Sequence, residues 1–179
     1  MTLNELLENI QSDSAQTRTT AWQQAGSIGA AAVEPLAGLC AQTHQEKARA
    51  ARRGLEKIVR RVGAPGSGPR KSSVIRELLG LLGDDRAVAL RRDVLWLLSE
   101  IGGDESVPQI AALLNQDDLR EDARMALERI PGDASLAALR EALDAGPKDF
   151  RPNIAQSLRA RGEAVDPKAY PCQKLVPTK

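Results

Sequence analysis

Apolar residues recur along this chain at the three- and four-residue intervals that place side chains on one face of an α-helix. The clearest case is Leu90–Gly102, LRRDVLWLLSEIG, which begins beside an arginine and ends at a glycine. Related segments end at Gly29, Gly63, Gly132 and Gly162, so the successive spacings are 34, 39, 30 and 30 residues. Repetition at this period predicts stacked units of supersecondary structure.

A second apolar run precedes each of these segments, so the predicted unit is a helix, a short turn and a second helix. The preceding runs begin at Leu3, Val33, Val74, Val107 and Leu136. Short polar joints separate the paired runs, at residues 12–14, 42–44, 83–85, 115–117 and 145–147. Such joints supply helix caps and helix breakers. The predicted repeats are 1–29, 30–63, 70–102, 103–132 and 133–162.

The repeated pattern resembles HEAT repeats, most closely the short variety named for phycobiliprotein (PBS) lyases. The acidic joint, the arginine and the apolar run to a glycine carry the resemblance, as in DDLREDARMALERIPG at Asp117–Gly132. It covers residues 1–162 and implies an all-α fold, a right-handed α-α superhelix (solenoid) of about five HEAT-like helical hairpins. In such solenoids the second helices line the concave wall.

Glycine and proline mark the ends of these predicted elements. Each closing glycine is expected to adopt the left-handed conformation that commonly ends a helix. Residues 63–69, GAPGSGP, are predicted to form a flexible loop within a single domain. Arg161 stands where earlier repeats have an apolar residue, which suits the polar end of a solenoid. Residues 163–179 contain three prolines and are predicted to be an extended tail, with docking through Tyr170 left open.

Composition narrows the function classes. With 179 residues and four aromatic residues, the chain predicts one domain with an aliphatic core. No apolar run reaches membrane-spanning length, and the N-terminal residues lack the lysines of a signal peptide. Cys40 and Cys172 match no metal-binding spacing. We therefore expect a reduced, cytoplasmic setting, a monomer and no membrane contact.

No combination of residues predicts catalysis. His44 is the only histidine and lies in a joint, where a turn or capping role is favoured. Without a second histidine, neither a zinc site nor a Ser-His-Asp triad can be assembled. The segment at 63–69 lacks the lysine of a phosphate-binding P-loop. The prediction is a protein that is not an enzyme and holds no cofactor or metal.

One arginine begins the second helix of every repeat: Arg18, Arg52, Arg91, Arg120 and Arg151. Because these arginines follow polar or acidic joints, they are predicted to form a structural ladder of ion pairs. Contact with a ligand is the less favoured alternative. Partial exposure would limit each pair to under about 1 kcal/mol.

The opposite face of the second helices predicts a binding surface. Its occupants are Arg53, Lys57, Arg60, Arg92, Trp96 and Met125. Trp96 is the anomaly, because tryptophan is favoured at binding hot spots. The alternative is that residues 63–69 or the tail cover it. Residues 47–71 carry a net charge of +8 against −7 elsewhere, which indicates an acidic or phosphate-bearing partner.

These features favour a protein–protein interaction scaffold that binds a peptide or protein segment on the concave face. Nucleic-acid binding is the first alternative, because HEAT-like DNA glycosylases resemble the chain in architecture. Trp96, Asp93 and Arg92 are the residues that such an enzyme would use here. Tight duplex binding is disfavoured, because no basic stripe runs along the whole chain. A protein similar to bilin lyases, or a spacer within a larger polypeptide, are the remaining alternatives.

Overall fold

A computed structural model describes residues 1–42 and 44–171 of the chain. Within these ranges the structure contains ten α-helices joined by turns and short 3-10 segments, without a β-strand. The helices are α1 (Leu3–Ile10), α2 (Ala15–Gln24), α3 (Val33–Cys40), α4 (Gln45–Val62), α5 (Gly68–Gly80), α6 (Val88–Ile101), α7 (Val107–Ala112), α8 (Arg120–Arg129), α9 (Asp133–Ala145) and α10 (Arg151–Ala160). The all-α class is therefore confirmed.

Local capping explains where the first hairpin begins. The Thr2 hydroxyl accepts a hydrogen bond from the Glu5 backbone N–H, and the Glu5 carboxylate accepts one from the Thr2 N–H. This reciprocal pair satisfies two N–H groups that the helix leaves without a partner. The Ser14 hydroxyl caps α2 by accepting from the N–H of Thr17. Thr2 is therefore the N-cap residue of α1.

The first compact unit comprises Met1–Gly102 and contains α1 to α6. The hairpins pair as predicted, with α1 packed on α2, α3 on α4 and α5 on α6. The second helices α2, α4 and α6 also pack side by side, and α3 packs against α5. This two-layer stacking is the arrangement expected of a helical solenoid. Leu36, Ile58 and Leu95 lie in its fully buried aliphatic core.

The second compact unit comprises Gly103–Lys179, of which residues up to 171 are described. Here α7 packs on α8 and α9 on α10, while α7 contacts α9 and α8 contacts α10. Two helical hairpins therefore stack within this unit as well. Phe150 begins the second helix of the last hairpin and is almost fully buried.

The expectation that all five closing glycines are left-handed is wrong for two of them. Gly63 and Gly102 have φ of −70° and −60°, so they do not use the left-handed region. After α4 that conformation occurs at Gly66, with φ of 82°. Gly29 has φ of 73° but lies in a 3-10 segment that follows α2. Helices can end by fraying into other turns, so a glycine after an apolar run does not fix its own conformation.

Gly162 shows the predicted helix ending in full. Its φ is 84°, its N–H donates to the carbonyl of Arg159, and the Glu163 N–H donates to the carbonyl of Leu158. These two hydrogen bonds form a Schellman motif, which satisfies carbonyls at the end of α10.

Two predicted boundaries differ from the structure. The loop expected at 63–69 is shorter, because α5 begins at Gly68 with Pro69 in its first turn, where proline is tolerated. The predicted extended tail contains a turn at residues 167–169. Arg159 donates a hydrogen bond to the Tyr170 carbonyl, so the described part of the tail contacts α10. Residues 172–179 and Cys172 lie outside the described residues.

Candidate functional site

Two of the five predicted ladder arginines bind backbone carbonyls in the joint of their own hairpin. A terminal nitrogen of Arg18 lies 2.8 Å from the Ser12 carbonyl oxygen and 2.9 Å from that of Asp13. Nε of Arg151 donates to the Gly146 carbonyl at 3.1 Å. These arginines stabilise turns through neutral acceptors, whereas the sequence predicted carboxylate partners.

Two more ladder arginines pair with carboxylates. Arg91 is 5% exposed and lies 2.9 Å from Asp84 in its own joint. Arg120 contacts Asp117 at 3.2 Å and also Asp149, in the joint of the following hairpin, at 2.8 Å. The guanidinium of Arg120 thus links two consecutive hairpins of the second unit.

Arg52 differs from the other ladder arginines because it connects two second helices. Its Nε lies 2.7 Å from the Asp93 carboxylate on α6. The partly buried thiol of Cys40 is close to both charges. Burial raises the pKa of Cys40 to about 11; Arg52 lowers it and Asp93 raises it. Because Asp93 neutralises Arg52, the positive charge does not overcome the cost of burying a thiolate.

The structure brings five of the six predicted partner-binding residues onto two neighbouring helices of the first unit. Arg53, Lys57 and Arg60 follow one another at helical intervals along α4, and all three are exposed. Arg92 and Trp96 are separated by four residues on α6, and both are exposed. Because α4 packs against α6, these residues define the outer surface of α4 and α6.

Met125, the sixth predicted residue, belongs to the second unit. It lies on α8 and is only partly exposed. The candidate surface therefore consists of the five predicted residues on α4 and α6.

Trp96 is the most exposed large hydrophobic residue among those described. It is 48% exposed, compared with 39% for Met1 at the N-terminus. The described part of the chain thus leaves nearly half of this tryptophan accessible. Its helix, α6, packs against the helix that carries Arg53, Lys57 and Arg60.

Arg53 makes a ring contact that the sequence analysis missed. Its guanidinium carbon lies 5.6 Å from the centroid of the Trp22 ring on α2. This cation–π contact holds Arg53 on the outer side of the second helices. Trp22 is not among the residues that the sequence predicts for this surface; the available signal was an aromatic residue in the second helix of the first repeat.

Two adjoining clefts beside this surface were also not predicted. The smaller, about 480 Å³, is lined by Gln23, Gln24, Gly26, Ser27, Lys57, Arg60 and Arg61. The larger cleft, about 890 Å³, lies between the turn at 26–31, the C-terminal end of α4 and the N-terminal end of α5. Arg61 and Arg70 are among the residues that line it. No acidic residue is among the described residues lining either cleft. The positive cluster at 47–71 was the sequence signal that pointed here.

The remaining candidate residues do not assemble a reaction centre. His44 occupies the N-cap position of α4, consistent with the turn role expected of it, although its side chain makes no capping hydrogen bond. Within the described ranges, no three His, Cys, Asp or Glu side chains are grouped as metal ligands. No described helix combines the length and apolar character required to cross a bilayer. Asp93, the carboxylate considered for a glycosylase, is paired with Arg52.

Helical hairpins stacked through equivalent helices define a helical-repeat protein. Residues 90–116 match the family model of the PBS lyase HEAT-like repeat, which confirms the resemblance seen in the sequence. One similar solved structure is the crystal structure of an engineered protein, 18% identical, covering 88% of this chain and 78% of that chain with a TM-score of 0.43. Another is a designed armadillo repeat protein in complex with the peptide (KR)4, 17% identical, covering 89% and 87% with a TM-score of 0.42. No curated protein matches the chain.

Proposed function

We propose that this protein is a non-catalytic interaction scaffold that binds an acidic peptide or protein segment on the outer surface of α4 and α6. Helical-repeat folds often mediate protein binding, because stacked repeats create an extended surface. The cytoplasmic location, the monomeric state and the absence of a cofactor belong to the same proposal.

The observation that carries the proposal is the 48% exposure of Trp96 beside the cationic row of α4. Tryptophan and arginine are the residues most often found at binding hot spots. An aromatic side chain buries roughly 150–250 Å². Covering the exposed half of Trp96 would therefore contribute roughly 2–3 kcal/mol at about 25 cal/mol per Å². Such an anchor suits a bulky apolar side chain in the bound segment.

The cations of α4 supply the charge preference. Arg60 has only a loose ion pair, 3.8 Å from Glu56, and its side chain is 78% exposed. Lys57 lies beside it in the smaller cleft. Exposed charges of this kind steer an oppositely charged partner and act more on association rate than on affinity. We expect binding to weaken with salt as these charges are screened.

The test is a selection of random twelve-residue peptides displayed on phage against the full chain, followed by affinity measurements on the enriched peptides. We expect enriched peptides to combine aspartate or glutamate with a bulky apolar residue. Trp96→Ala should weaken their binding at least about tenfold, the loss expected for a hot-spot residue. Arg76→Ala is the control, because Arg76 is an exposed arginine on α5, away from this surface.

Circular dichroism must first show that the variants retain the helical content of the wild type. Equal binding by wild type and Trp96→Ala would overturn the proposed surface. A failure to enrich acidic peptides, together with salt-sensitive binding of a 20-nucleotide DNA, would favour the nucleic-acid alternative. We expect enrichment of acidic peptides rather than DNA binding, because Asp93, the carboxylate considered for a glycosylase, is paired with Arg52.

A further inference from the structure

The two clefts of the first unit adjoin each other, and both are lined by positive side chains. They share Gly26, Ser27 and Arg61, so the Arg61 side chain lies where they meet. Lys57 and Arg60 line the smaller cleft, and Arg70 lines the larger. Four positive side chains thus line the two clefts together, and no carboxylate is among the described lining residues of either.

Arg61 and Arg70 are distinguished by their lack of partners. Among the described residues, neither guanidinium forms an ion pair, a side-chain hydrogen bond or a ring contact. By contrast, Arg49 and Arg52, earlier on the same α4 helix, each pair with a carboxylate. Two unpaired guanidinium groups lining one cleft favour an anionic ligand, because arginine binds carboxylate and phosphate oxygens through paired N–H groups.

We propose that the larger cleft binds a phosphate monoester through Arg61 and Arg70. A phosphate monoester carries a charge of about −1.5 to −2 and three acceptor oxygens, which match two guanidinium groups. A carboxylate carries one charge and is satisfied by a single arginine fork. The volume of about 890 Å³ falls within the range of ligand sites, so the cleft accommodates the phosphate and the group that bears it.

Close packing of the turn against α4 positions Arg61. A Cβ built on Gly26 would lie 3.1 Å from Cδ of Arg61 and 3.1 Å from the backbone carbonyl of Lys57. The stem of Arg61 therefore packs closely on the Gly26 backbone, and a larger residue at 26 would push against both the stem and α4. The contact leaves the guanidinium at the junction of the two clefts.

This inference is independent of the proposed function, because neither Trp96 nor Arg92 lines the cleft. The phosphate monoester can come from a phosphorylated side chain of a protein or from a free small molecule. Both sources present the same group to Arg61 and Arg70. The experiment therefore includes one probe of each kind.

The test measures binding of the full chain to a fluorescein-labelled phosphoserine peptide, its serine twin and its glutamate twin by fluorescence polarisation. O-phosphoserine and glycerol 3-phosphate serve as unlabelled competitors. We expect the phosphoserine peptide to bind at least about tenfold more tightly than either twin. The double variant Arg61→Gln/Arg70→Gln should weaken this binding about 30-fold, as expected for the loss of charge-assisted hydrogen bonds.

Lys71→Gln is the matched control, because it removes one positive charge next to Arg70 from a side chain that does not line the cleft. We expect it to change affinity less than about threefold, since it alters only the general field. Single Arg61→Gln and Arg70→Gln variants should each exceed that effect. The peptide carries no bulky apolar residue, so it lacks the group expected to engage Trp96. Arg76→Ala should leave phosphopeptide binding unchanged, because Arg76 is exposed on α5 and does not line the cleft.

Competition decides the source of the phosphate. Displacement by O-phosphoserine and glycerol 3-phosphate at similar concentrations to the peptide would assign the site to free phosphorylated molecules. Displacement by an added unlabelled phosphoserine peptide, but not by the two small molecules, would assign it to a modified protein. Equal binding of the phosphoserine and glutamate peptides, or equal losses with Lys71→Gln and the double variant, would overturn the proposal.

Discussion

Two arginines, Arg124 in the second unit and Arg61 in the first, differ in the partners that the fold gives them. In the second unit Arg124 contacts Glu121 at 2.8 Å, Glu128 at 2.9 Å and Ser157 at 2.6 Å. In the first unit Arg61, at the end of α4, forms no ion pair among the described residues. The arginines that the fold leaves without partners, rather than the total number of arginines, therefore carry the proposed phosphate site.

Arg161 is the strongest case of a structural arginine. One of its terminal nitrogens lies 2.8 Å from the Ile130 carbonyl and 3.1 Å from both the Leu127 carbonyl and the Ser135 hydroxyl. The other donates to the Gly132 carbonyl at 3.0 Å. A positive group at this place satisfies the last carbonyls of α8 and complements the helix dipole.

Net charge follows the same division. The first unit has fourteen Lys and Arg against eleven Asp and Glu, and the second has eleven against thirteen. The excess in the first unit is concentrated at residues 47–71, next to the two clefts. This separation supports placing the proposed binding surfaces in the first unit.

Replacing Arg161 with methionine should give the largest loss of stability. Methionine keeps much of the apolar stem and removes the donors, so the carbonyls of Leu127, Ile130 and Gly132 lose a partner. We expect a loss of about 3 kcal/mol, since unsatisfied buried acceptors cost about 1–3 kcal/mol each and part of this group is solvated. Hydrogen exchange of the α8 and α10 amides in rising urea measures the change.

The control for that variant is Arg70→Met, which replaces an arginine without a partner among the described residues. Since Arg70 makes no ion pair or side-chain hydrogen bond among the described residues, stability should change by less than about 0.5 kcal/mol. Equal losses for the two variants would show that the division between structural and partner-free arginines is wrong.

The case of Arg161 also shows what the sequence predicts and what it cannot. Apolar spacing predicts the hairpins correctly, because burying one face of each helix is a local requirement that the chain records every three to four residues. For Arg161 the sequence predicts only a place at the polar end of the solenoid. Its partners lie 26 to 34 residues earlier, and no periodicity specifies where a long flexible side chain reaches.

Prediction of the candidate surface from the sequence has the same limit. Helical phase correctly places Arg53, Lys57 and Trp96 on the outside of the second helices. It did not reveal the clefts, because they are formed by a turn at 26–31 that packs against α4 through Gly26. Such close approach depends on tertiary packing. A glycine permits it, but the sequence does not specify which segment packs there.

Two ladder arginines of the first unit should differ in their contribution to stability. Arg91 is 5% exposed and paired with Asp84, whereas the side chain of Arg52 is 45% exposed. We expect Arg91→Met to cost about 2 kcal/mol, because it removes the charge-assisted hydrogen bond that the buried guanidinium donates to Asp84. Arg52→Met should cost less than about 1 kcal/mol, since water screens its ion pair.

Both tryptophans, Trp22 and Trp96, lie in the first unit, so urea unfolding followed by tryptophan fluorescence reports on the relevant region. Similar midpoints for the two variants would contradict the distinction between buried and exposed ladder positions.

The smallest expected effect is a change in the reactivity of the Cys40 thiol. It tests whether Asp93 neutralises the charge of the neighbouring Arg52. Burial, with a smaller contribution from Asp93, raises the pKa of Cys40 from 9.0 to about 11, and Arg52 opposes this. A raised thiol pKa means that its contribution to stability is complete below about pH 9 and is lost as pH rises towards 11. It also means that alkylation by iodoacetamide should accelerate about tenfold per pH unit from pH 8 to 10, as the thiolate fraction grows.

Asp93→Asn removes one cause of the raised pKa of Cys40 and leaves the charge of Arg52 unopposed, so the pKa should fall. In a Cys172→Ser background, where Cys40 is the single thiol, we expect alkylation at pH 8 to become about threefold faster, corresponding to roughly half a pKa unit. Arg52→Gln should slow the same reaction, because it removes the cation and leaves the carboxylate. Opposite changes from the two substitutions would locate the effect in the charges. Changes in the same direction would mean that both substitutions alter the burial of Cys40. The experiment would then contradict the idea that Asp93 neutralises the charge of Arg52.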